Sequence, residues 1–99
     1  MRLELIRSGG IGGLSVTRLI DTSALEAPMA AEVERLASKL DLAGLARRSP
    51  LRGRGTDRFQ YDLSVEAGGR RYQVTAAEDA VPPELKELVA WMLQHGDTG

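Results

Sequence analysis

The sequence predicts an α+β fold: a two-layer domain whose four-stranded, mostly antiparallel sheet carries two helices packed on one face, in the order β-β-α-β-β-α. Three observations lead there. Phe59, Tyr61, Leu63 and Val65 alternate with polar residues, and Tyr72, Val74 and Ala76 do the same after a Gly68-Gly69 turn, the pattern of a half-buried hairpin. Residues 2–7 alternate charged and apolar side chains and lead through a glycine-rich stretch into the β-branched segment 14–20, which makes a first hairpin. Two further segments repeat their apolar residues at helical spacing, and each such stripe needs a surface to cover.

Taken in order, Leu3 and Leu5 define the buried side of the first strand, with Arg2 and Glu4 opposite. After the second strand, Asp21-Thr22-Ser23 punctuates the chain. Ser23 and Glu26 have capping-box spacing, but Pro28 is the better first residue for the main helix, whose stripe is Met29, Val33, Leu36 and Leu40, with Gly44 as its stop. Arg47, Arg48, Arg52, Arg54 and Arg58 sit in or beside a stretch with one proline, two glycines and no period, so an exposed loop over about residues 45–57 is expected. Pro82 and Pro83 open the last helix, which buries Leu85, Leu88, Val89 and Met92 and ends at His95-Gly96; a histidine there is placed to meet the terminal carbonyls.

Ninety-nine residues, 42% hydrophobic and 27% charged, make one domain over residues 1–99 with one modest core. A formal net charge of −1 supplies no global attraction to nucleic acid or to an anionic membrane. With no cysteine and one histidine there is no thiol nucleophile, no disulfide framework and no His-rich metal site. Glu32 with Glu34 and Glu78 with Asp79 are spaced to diverge on regular elements rather than to converge in a pocket, so no enzymatic centre, metal or cofactor is expected. The arginine stretch lacks interleaved aromatics, which argues against nucleic-acid binding. No apolar segment has the length of a leader or a membrane span; a cytoplasmic protein is expected, with secretion by another route left open.

The stretch Ser8-Gly9-Gly10-Ile11-Gly12-Gly13-Leu14 is the candidate site. It runs from strand to strand rather than from strand to helix, and no lysine follows, so it is not a phosphate cradle. Turn geometry accounts for two of the glycines easily and for four less well. Ile11 either folds back onto the core or is offered to a partner.

Together with Asp21, the Arg58-Phe59-Gln60-Tyr61-Asp62-Leu63 strand, the Gly68-Gly69 turn and Val81-Pro82-Pro83-Glu84-Leu85, this loop resembles the emfourin family over nearly the whole chain. These are small bacterial protein inhibitors of thermolysin-like zinc metallopeptidases such as protealysin. The chain has Ile11-Gly12 where the family usually shows Phe-Ala. The resemblance implies a protein inhibitor whose partner carries the zinc, with Gly9, Gly10, Ile11, Gly12 and Gly13 entering the cleft. One loop cannot cover the roughly 800 Å² per partner of a standard interface, so Leu51 and Arg52 are the candidate second contact. A monomer or weak homodimer is expected, and a protein-interaction module with a non-protease partner is the alternative function.

Overall fold

A computed structural model describes residues 1–10, 12–54 and 59–98. Strands β1 (Arg2–Gly9), β2 (Val16–Asp21), β3 (Phe59–Ala67), β4 (Arg70–Ala77) and β5 (Asp97–Thr98) form one sheet in the order β4-β3-β1-β2-β5, antiparallel throughout. Helices α1 (Ala27–Ser38), α2 (Leu42–Arg48) and α3 (Pro83–His95) back it. The α+β class and both hairpins are as the alternation predicts; a fifth strand and a third helix are added to the four strands and two helices expected.

β1 lies in the middle of the sheet, pairing with β2 from Arg2↔Asp21 to Arg7↔Val16 and with β3 from Arg2↔Glu66 to Gly9↔Phe59. Its period of two sends Leu3 and Leu5 to the helix side, in line with Ile20, Leu63, Val65 and Val74. Val33, Leu36, Ala37, Leu45, Leu85, Leu88, Val89 and Met92 close over them in one core. Met29, expected in the α1 stripe, is only half-buried, and Ala37 replaces it. Among the described residues, no helix lies on the other sheet face. Across four strands Arg71, Glu66, Arg2 and Asp21 share one row there, alternating in sign, which keeps the face wet.

Gly44 does not stop the main helix. α1 ends at Ser38, and Asp41 starts α2 by accepting the Gly44 N–H at 3.1 Å, so residues 42–48 are helical where the sequence predicts a loop from about residue 45. Asp41 and the Leu42/Leu45 pair carried that signal, which the neighbouring arginines obscured. β5 has two residues and no periodicity of its own; it pairs with Arg18 and Leu19 because the chain turns sharply at Gly96. A Cβ at Gly96 would stand 2.7 Å from the Met92 carbonyl oxygen and 2.9 Å from Arg18 Cβ, so the approach admits glycine alone. The Met92 carbonyl takes the Gly96 N–H at 2.8 Å, while the His95 ring lies against Trp91 with centroids 4.6 Å apart.

Between β2 and α1, the Asp21 carboxylate accepts the Ser23 hydroxyl at 2.7 Å and the Ser23 N–H at 3.0 Å, which hold its pKa below the ordinary carboxylate value. This contribution to stability is present at neutral pH and is lost as the pH falls through the lowered value. Core burial outweighs such surface contacts. Leu88→Ala, at a position with no exposure, is expected to lower the unfolding free energy by about 2–5 kcal/mol in chemical denaturation. Glu32→Ala, which removes the exposed pair with Arg35, is expected to leave the midpoint nearly unchanged.

Candidate functional site

The first hairpin is unequal at its open end. β1 stays paired with β3 as far as Gly9↔Phe59, but pairing with β2 stops at Arg7↔Val16, so the chain between them projects with support from one side. Leu14 was expected in the second strand; that strand begins at Val16 instead, and Leu14 stands 77% exposed in the loop. Ile11 lies outside the described residues.

The four glycines share one property. Gly9, Gly10, Gly12 and Gly13 have φ of 92°, 74°, 94° and 63°, a left-handed backbone that L side chains rarely adopt. The Gly13 N–H donates to the Gly10 carbonyl at 3.3 Å and closes a tight turn between them. Gly10 also sits on Phe59: a Cβ there would come within 2.8 Å of Phe59 Cε1. The Arg7 guanidinium covers the same ring, 4.7 Å from its centroid. Phe59 is therefore the floor of the loop. Its place in the alternation marked it only as a core residue, since nothing in a strand pattern reveals what a neighbouring loop will rest upon.

Segment 49–54 is not an open loop. The Thr75 N–H donates to Ser49 Oγ at 2.8 Å, the Leu51 N–H to the Thr75 carbonyl at 2.7 Å, and the Ala77 N–H to the Leu51 carbonyl at 2.9 Å, which lays Leu51 parallel to β4 beside Ala76. Leu51 is half-buried against the core, whereas Arg52 is exposed. The remainder of the expected loop, residues 55–57, lies outside the described residues, as does Arg58.

The registers Leu51↔Ala76, Ala76↔Tyr61 and Tyr61↔Arg7 place this segment in the row next to the base of the glycine loop. Three strand spacings separate the two, about 14 Å. The structure thus brings Gly9, Gly10, Gly12, Gly13 and Arg52 to one end of the sheet, with Leu51 behind as a support.

Among the described residues no group of three or more His, Asp or Glu side chains could hold a metal ion. Asp21, Glu32 and Arg35 have displaced pKa values, owing to the Ser23 contact and to the Glu32–Arg35 hydrogen bond, and none of these three belongs to the loop. No described helix is long and apolar enough to cross a membrane.

A five-stranded sheet backed by helices, with a left-handed glycine loop projecting at one end, defines a small α+β domain organised around that loop. The chain belongs to the Emfourin family, whose model matches residues 5–93. Its general role is that of a metallopeptidase inhibitor. No curated protein and no solved structure matches the chain.

Gly10→Ala and Gly12→Ala should each cost about 1–2 kcal/mol for the left-handed backbone. Only the first meets Phe59, because nothing lies within 4 Å of a Cβ at Gly12. The expected outcome in NMR spectra is a shift of the Phe59 ring signals in Gly10→Ala alone.

Proposed function

We propose that this protein inhibits a thermolysin-like zinc metallopeptidase by seating the glycine loop in the enzyme's active-site cleft. The observation that carries this reading is the projecting turn with four left-handed glycines and an exposed Leu14. Backbone without side chains passes narrow cleft walls, while Leu14, and Ile11 between Gly10 and Gly12, offer the bulky apolar groups that such a cleft takes up. Residues 9–14 contain no imidazole, thiol or carboxylate, so inhibition is occlusion rather than capture of the zinc by a side chain.

The loop resting on Phe59 reduces the conformational entropy lost on binding. Arg52 extends the contact, and Leu51 holds its backbone in place. A monomer or a weak homodimer suits this geometry: β5 covers Arg18 and Leu19 of the β2 edge and segment 49–51 covers the end of β4, while the first residues of β4 leave an edge on which a second copy could pair.

Ile11→Asp and Leu14→Asp test the reading. Each should raise the inhibition constant against a thermolysin-like enzyme by about 10- to 100-fold, the effect of losing one buried apolar side chain, with the melting temperature unchanged. Undiminished inhibition by both variants would remove the loop from the mechanism.

A further inference from the structure

The β4 edge carries a concentration of positive charge that the fold does not consume. Arg47 and Arg48 close the last turn of α2, where the helix C-terminus favours cations. Arg52 and Arg54 have no such role. Both are exposed, and both stand on backbone fixed by the Leu51 bridge to β4 and by the Arg54 N–H, which donates to Asp79 Oδ2 at 2.9 Å. The ion pairs among the described residues are Glu32–Arg35 and Lys39–Glu87, so none of these four guanidinium groups is taken up by one.

Among the described residues, four arginines against Glu78 and Asp79 of the adjoining 3-10 turn, Glu78–Ala80, leave a local positive excess on a chain whose net charge is −1. The field is therefore local to the end of the sheet from which the glycine loop projects. Aromatic side chains are absent from residues 47–54, so the patch lacks the stacking platforms that single-stranded nucleic acid uses.

We propose that Arg52 and Arg54, with Arg47 and Arg48 behind them, form a docking surface for a carboxylate-lined rim beside the cleft of the inhibited peptidase. This inference rests on the inhibitor reading above and names the charge its target must display. The backbone at Leu51 is pinned three strand spacings, about 14 Å, to the side of β1, so the arginines that follow it meet the rim while the loop enters the cleft. Exposed rim charges act mainly on the rate of encounter, and they act less as salt rises.

The test is the association rate of the full chain with a thermolysin-like enzyme, measured from about 20 mM to about 500 mM salt. The Arg52→Glu/Arg54→Glu double variant is compared with the unaltered protein, together with binding to a duplex DNA and a single-stranded RNA probe. The expected result is a fall in association rate of about tenfold or more at low salt, converging at high salt, with the dissociation rate little changed. Equal association rates at low salt would overturn the rim while leaving the inhibitor function intact. Salt-sensitive binding of either nucleic-acid probe that the double variant loses, with unchanged association to the enzyme, would assign the patch to nucleic acid and overturn it as well. Failure of the unaltered protein to inhibit would overturn the function itself, a result separable from inhibition at unaltered rates.

Discussion

Because β1 is hydrogen-bonded to β2 on one side and β3 on the other, its backbone cannot shift without breaking two ladders, and its side chains cannot change face without carrying Leu3 and Leu5 out of the core. The loop inherits that fixity unequally. One side is held as far as Gly9 by Phe59, whereas the other leaves the sheet at Val16. This difference in pairing length makes the turn project and gives it a floor on one side only. The aromatic ring under Gly10 then decides how closely the chain may lie, and a residue with a Cβ at that point would be pushed off it.

The order of the two hairpins and the faces of their strands could be read from alternation alone, because burial on one side imposes a period that few other constraints produce. Asp41 and Gly96 show where that kind of reading stops. α2 is seven residues long, too short for a stripe to repeat, and its start depends on one carboxylate accepting one amide. β5 exists because Gly96 lets the end of α3 come against Arg18, a tertiary approach with no local signature. The candidate loop stood out through its glycines, which permit the left-handed backbone they adopt here but do not dictate it. Leu14 did not, since a leucine ahead of a β-branched run fits a strand as well as a loop; only the register shows that pairing ends at Val16.

A similar distinction applies to the arginine stretch. Its composition suggested an exposed loop, but main-chain donors and acceptors at the end of β4 needed partners, and Ser49 and Leu51 supply them. The same contacts that shield a strand end from unwanted pairing also fix where Arg52 stands. Protection of the edge and presentation of charge are two results of one arrangement.

Stability is carried by atoms away from the described part of the glycine loop. The core joins the helices to the middle of the sheet through Leu5, Val65, Leu85, Leu88 and Met92, none more than 1% exposed, and no described residue of the glycine loop adds a side chain to it. Ordering a glycine backbone costs about 1–2 kcal/mol per residue, more than one 3.3 Å turn bond returns, so the loop depends on a core stable enough to absorb that loss. Such a division lets the exposed Leu14 be exchanged with little effect on folding. The glycines have no comparable freedom, because their left-handed backbone sets the shape of the loop even where, as at Gly12 and Gly13, nothing packs against it.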